Sequence, residues 1–188
     1  MAKLFEGIRG DKTNADIGWM SSKSPFYNSG YLLAAEELVK GFDERPTNEK
    51  DSLVFPIVFL YRQHIELTLK DIIGTIDRKL SETEKRKALE RHKLLNLWDL
   101  AITQYETFIS NRNISLVFTE KIKKERDIVK QFNQTDEDSF SFRFATDKKG
   151  KNLLEGIDYI SIKNFREQIA LVLSYLDKMN ETISHEST

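Results

Sequence analysis

Residues 55 to 73, FPIVFLYRQHIELTLKDII, constrain this chain more than any other stretch. The pattern predicts a helix with apolar side chains on nearly every side, and such a helix belongs at the centre of its bundle. Into it the sequence sets Arg62, His64, Glu66 and Lys70. A lone buried charge is very costly, so these groups must find partners in other segments or serve a site. The implied fold is a helical domain crossed by a polar seam.

Helical geometry divides the group. Arg62, Glu66 and Lys70 stand four apart on one side, where Glu66 can pair with either neighbour for about 0.2–0.5 kcal/mol if exposed. His64 points about 200° away from Arg62. It shares its side with Tyr61, Thr68 and Asp71. Arg62 and His64 can therefore meet in one site only through another element or another subunit. Without a site, the same pattern reads as a charged ladder opposite a hydrogen-bonded core histidine.

The remaining segments predict a mainly α, up-and-down bundle of about five helices, with a short extended segment or hairpin near residues 139–154. Residues 1–28 read as an irregular N-terminal arm, and 29–182 as one helical-bundle domain. From Ser29, the residues Tyr31, Ala35, Leu38, Val39 and Phe42 recur at helical spacing. DERPTNEK reads as a loop. The central helix is expected to start with Ser52 as N-cap, which puts Pro56 in its first turn, where a missing N–H does no harm. It should run to Asp77. Ser81-Glu82-Thr83-Glu84 has capping-box spacing and predicts a short charged helix. His92 leads into the stripe Leu94, Leu95, Trp98, Ile102, Tyr105 and Ile109. A further helix is predicted over 116–134. Ser139 to Phe144 then alternates strictly, the strand period, and Asp147-Lys148-Lys149-Gly150 looks like the following turn. The last helix should begin near Ser161 and fray after Thr182.

Composition removes several function classes. Twenty-nine basic and 30 acidic side chains leave a net charge of −1, so no global basic field draws in nucleic acid. The basic stretches KRKALERHK and EKIKKER interleave with Glu and apolar residues, as solvated helix faces do. Cysteine is absent, which removes thiolate chemistry and disulfides. The three histidines, His64, His92 and His185, show no metal-ligand spacing, so neither a metal nor a cofactor is expected. No signal-peptide core and no apolar run long enough to span a bilayer appear, and the expected location is the cytoplasm, away from membranes. No Gly-rich phosphate loop or serine elbow is present.

The candidate site residues follow. His64 and His92 are the candidate catalytic groups, since imidazole can act as a general base near neutral pH. For His92 the plainer alternative is a histidine that caps or packs at a helix start. Arg62, Arg143 and Lys70 are candidates to hold a nucleotide or phosphate, with Glu66 as their structural partner. Arg143 lies between Phe142 and Phe144, so on a strand it faces opposite to them. It can stack and receive a phosphate, or form a salt bridge to a helix, for example through Glu66.

The segments YLLAAEELVKGF, FLYRQHIELTLKDII, HKLLNLWDLA and SFRFATDKKG, with the closing helix, resemble the HEPN superfamily over roughly residues 29 to 178. That resemblance implies a small helical bundle that forms homodimers and handles RNA or nucleotides in prokaryotic defence or toxin–antitoxin systems. Catalytic members carry Arg, then four to six residues, then His on a late helix, and act on the RNA 2′-hydroxyl. Here the late helix, 116–134, has Arg126 but no histidine. Arg86 and His92 have the spacing but precede the HKLLNLW helix. Three functions follow: an RNA- or nucleotide-binding protein without the standard nuclease motif, a divergent ribonuclease, and a non-catalytic dimerisation or interaction module.

Overall fold

The computed structural model describes residues 9–15, 17, 25–76, 93–112, 114 and 122–186. Five α-helices stand among them: α1 Pro25–Val39, α2 Thr47–Ile76, α3 Leu94–Ser110, α4 Ile122–Thr135 and α5 Ile162–His185. The protein is mainly α-helical and forms a bundle, as expected. α2 packs against α1, α3 and α5, while α4 packs against α3 and α5. Helices α2, α3, α4 and α5 thus close a ring of neighbours, and α1 lies against α2.

The 30-residue α2 runs through the core. Ile57, Tyr61, Ile65, Leu69 and Ile72 are all fully buried, against Trp98 of α3 and Val172 of α5. Burial of such side chains contributes about 1.5–3 kcal/mol each relative to exposure. Its start differs from the expected one. Helical bonding begins at the carbonyl of Pro46, which accepts from Glu49 N and Lys50 N. The fixed φ of Pro46 suits the residue that leads into a helix, so the second half of the expected loop, TNEK, joins α2, while Arg45 stays extended outside it. Ser52 is not a cap; its hydroxyl donates to the Asn48 carbonyl one turn back. Pro56 consequently lies in the helix interior.

Other boundaries shift less. α1 begins at Pro25 rather than Ser29, which suits proline's preference for first-turn positions and shortens the irregular arm. α3 begins at Leu94, with Lys93 before it. Ser161 caps α5, accepting from Asn164 N at 3.3 Å, and the helix continues past Thr182 to His185. The predicted capping box at 81–84 and the segment 116–121 lie outside the described residues.

The alternating segment 139–144 is not a strand. Ser139 adopts a left-handed φ of 64°. Asp136 Oδ1 accepts from Ser141 N at 2.8 Å, and the Phe140 carbonyl accepts from Arg143 N and Phe144 N. Alternation alone specifies a strand only where a partner edge supplies hydrogen bonds; here local bonds close a turn instead. The hairpin survives in miniature as one antiparallel bridge between Thr146 and Asn152. Its turn is Asp147 to Gly150, as predicted, with Gly150 at φ 80° and Asp147 Oδ1 accepting from Lys149 N and Lys151 N.

Candidate functional site

The polar side of α2 meets the segment that follows α4. Arg62 is fully buried there. Its Nη1 donates to Glu66 Oε2 at 2.9 Å, and its Nε lies 3.3 Å from both the carbonyl and Oδ2 of Asp136. Nη2 reaches the Glu137 carbonyl at 3.4 Å. Glu66 is 2% exposed and accepts from Lys70 Nζ at 2.8 Å through its other oxygen. Asp136 is 1% exposed. Two cations and two carboxylates thus occupy one buried file, so the seam is charge-balanced. Its members differ in reach: Lys70 sits at the edge, while Arg62 has no open path to a ligand. The structure thus places Arg62 in buried ion pairs rather than on a surface that a phosphate could reach. Lys70 is committed to Glu66 as well.

His64 faces the opposite way, toward α1, as helical geometry required. Asn28 of α1 meets it. With the Asn28 amide donating to His64 Nδ1 at 2.7 Å and to the His64 carbonyl at 3.2 Å, its oxygen accepts from Thr68 Oγ1 and Thr68 N. That orientation uses the full hydrogen-bonding capacity of the amide and makes Nδ1 an acceptor on a neutral ring. Burial pushes the imidazole pKa below its ordinary value, outweighing the Asn28 carbonyl and the charge of Asp177, which act the other way. His64 is thus a neutral clasp between α1 and α2, remote in direction from Arg62.

Arg143 behaves unlike the others. It is exposed, and no carboxylate among the described residues pairs with it; Glu66 is not its partner. Its Nε donates to the Ser139 carbonyl. The guanidinium lies 5.0 Å from the Phe140 ring centre, 5.4 Å from Phe59 and 5.7 Å from Phe144. In the turn, Phe142 points inward and is buried, while Phe140 and Phe144 stay exposed around the arginine. The strand expectation had placed Phe142 and Phe144 together. The result is a ledge of three phenyl rings and one fixed cation on the protein surface.

His92 lies outside the described residues, as do Arg86 and most of KRKALERHK. Of the second basic stretch, Arg126 binds both carboxylate oxygens of Asp99 on α3, at 2.7 and 2.8 Å. Among the described residues no group of His, Asp and Glu gathers as a metal site. None of their helices is long and apolar enough to cross a membrane.

Three contributors were missed in the sequence. Asp136 and Asn28 are distant partners that no spacing rule reveals. Phe59 carried a signal: with exposed Phe55 one turn before it, it marks an aromatic strip on the outer side of α2. A further long-range set joins α1, α2 and α5, where Tyr61 donates to Glu36 Oε1 at 2.7 Å and Arg166 pairs with Glu36 Oε2.

No match was found among protein families, curated proteins or solved structures. The chemistry of this chain therefore rests on its own residues.

Replacing Arg62 by Ala should lower stability by about 3–5 kcal/mol in urea unfolding, because Glu66 and Asp136 are left buried with too little positive charge. A loss below about 1 kcal/mol, the range of exposed pairs, would contradict the burial described. A second expectation concerns pH. The folded protein holds His64 with a lowered pKa, so the unfolded chain binds more protons as pH falls below about 6.5. Stability should therefore fall from about pH 7 downward, levelling once the folded-state pKa is passed. The His64→Gln variant should show a flatter profile over that window.

Proposed function

We propose that this chain is a HEPN-like helical-bundle protein that binds RNA without cutting it. The prokaryotic defence or toxin–antitoxin setting follows from the resemblance of its segments. The observation that carries the binding reading is the ledge at Arg143. Phenyl rings and a guanidinium plane are surfaces on which unpaired bases stack, at about 1–3 kcal/mol per base. Acidic neighbours argue for stacking over a phosphate-dominated contact: Glu137 and Asp138 precede the turn and Asp147 follows it. The near-zero net charge points the same way. A catalytic role for His64 is disfavoured by its burial and its bond to Asn28.

Fluorescence anisotropy with a labelled single-stranded RNA tests this. Wild type should bind with a shallow salt dependence and leave the RNA intact. Arg143→Ala and Phe144→Ala should each weaken binding by roughly tenfold. Unchanged affinity in both variants would refute the ledge. Cleavage abolished by His92→Ala would replace this reading with the ribonuclease one.

A specific feature also favours homodimerisation. From Pro25 to Ala35 helix α1 carries no charged residue, yet only one of its sides packs on α2. Leu33 is 66% exposed, Tyr27 is exposed, and Gly30 and Ala34 lie on the same outer side. A methyl group built on Gly30 would meet nothing within 4 Å, so a second helix can approach closely. A helix that is apolar all round is normally buried. Two copies related by an antiparallel two-fold axis at Leu33–Ala34 place Lys40 of one across from Tyr27 of the other, a favourable cation–aromatic pairing. Glu37 then faces Gly30 rather than another carboxylate. Sedimentation should show a dimer for wild type and a monomer for Leu33→Asp. A wild-type monomer, or a dimer unaffected by Leu33→Asp, would rule out this face.

A further inference from the structure

Where α2, α4 and α5 meet residues 157–161, a cavity of about 290 Å³ opens to solvent. Its inner wall is apolar and largely buried, built by Phe132, Phe142 and Ile169 with Val58 of α2. Phe165 completes it, its ring edge-to-face with Phe132 at 5.6 Å. The wall is fixed by the core itself, so the cavity is preformed rather than opened by a ligand.

Its rim is unusual for this chain. Nearly a third of all residues are charged, yet among the described residues no Asp, Glu, Lys, Arg or His lines the cavity. The polar groups are the carboxamides of Gln131, Asn164 and Gln168 and the hydroxyls of Thr135, Tyr159 and Ser161. Each carboxamide offers both a donor and an acceptor. Among the described residues Ser161 Oγ accepts from Asn164 N at 3.3 Å, and the one hydrogen bond of the three carboxamides is a long one, from Gln131 Nε2 to the Asp127 carbonyl at 3.4 Å. Tyr159 stands at the mouth with 96% of its surface exposed, beside exposed Ile157. An apolar wall excludes an ion, which would lose its hydration there without a counter-charge. Unspent donor–acceptor pairs at the edge select a flat group with its own alternating donors and acceptors. An unburied phenol ring beside them can close over such a group by stacking.

We propose that this cavity is a binding site for one nucleobase, with Gln131, Asn164 and Gln168 reading the base edge and Tyr159 covering its face. The site rests on the RNA-binding reading above and sharpens it. The cavity and the Arg143 ledge are built from adjoining residues of the same two segments, Val58 beside Phe59 and Phe142 beside Arg143. A base held in the cavity therefore belongs to a strand, or to a nucleotide, whose remainder runs toward Arg143.

Calorimetric titration of the full chain with adenosine, guanosine, cytidine and uridine, and with their monophosphates, tests the site. At least one nucleoside should bind. Gln168→Leu and Tyr159→Ala should each weaken it by roughly tenfold, the effect of losing a buried polar contact or a stacked ring. Both positions lie at the rim, and unchanged circular dichroism and unfolding midpoints confirm that the variants fold. Arg143→Ala should weaken the binding of RNA, whose neighbouring base stacks on the ledge, and leave the nucleoside unaffected. Nucleoside binding insensitive to both cavity variants overturns the assignment. If RNA binds through the ledge but no nucleoside binds at millimolar concentration, the cavity is refuted and the ledge stands. If nucleosides bind with the expected sensitivity but RNA does not, the cavity is supported and the ledge fails.

Discussion

The fold turns on the ion pairs of Arg62. This guanidinium holds the central helix to the segment leaving α4, through Glu66 on its own helix and Asp136 beyond. Apolar packing could place α2 in several rotations, since hydrophobic side chains occur on most of its sides. Only some of those rotations deliver Arg62 to Asp136; the pairs of Glu66 with Arg62 and Lys70 lie within α2 and turn with it. The buried pairs contribute orientation more than net stability, since desolvation offsets much of their attraction. The Asp136 carboxylate then serves twice, because its second oxygen fixes Ser141 N and starts the turn that presents Arg143. Interior electrostatics and surface ledge are in this sense one construction.

The opposite side of α2 solves a different problem. His64 is kept neutral and used as a hydrogen-bond acceptor from Asn28. A neutral ring needs no counter-ion, so this contact tolerates burial at lower cost than the Arg62 side. The two sides together explain how a helix with ionisable groups in its middle can run through the core. They also divide the candidate residues: Arg62, His64 and Lys70 are engaged inside the bundle or at its edge, and Arg143 lies exposed on the surface.

Much of the fold was legible because helical periodicity is a local signal. Ala35, Leu94, Trp98, Ile102, Tyr105 and Ile109 are all buried, as their spacing implied. The division of Arg62 from His64 followed from 3.6 residues per turn and held. What failed was decided by partners far away in sequence. Nothing within 139–144 announces that no strand will lie beside it, and Asp136 gives no sign that it will reach back 74 residues to Arg62. The start of α2 was missed because Ser52 is a plausible cap and Pro46 is not ordinarily read as one. The cavity was invisible for the same reason as the Asp136 partner: its walls come from four separated segments.

The balanced charges of Arg62, Glu66, Lys70 and Asp136 also shape how this chain can diverge. Any single replacement at Arg62, Glu66 or Asp136 passes through a state with an uncompensated ion in the interior, and that state is the most damaging step on the path. Descendants should therefore keep the three together or exchange them together for oily side chains. The rim glutamines and the phenylalanines around Arg143 face no such barrier and are free to drift one at a time. A lineage of this protein would change its surface long before it changed how it is held together.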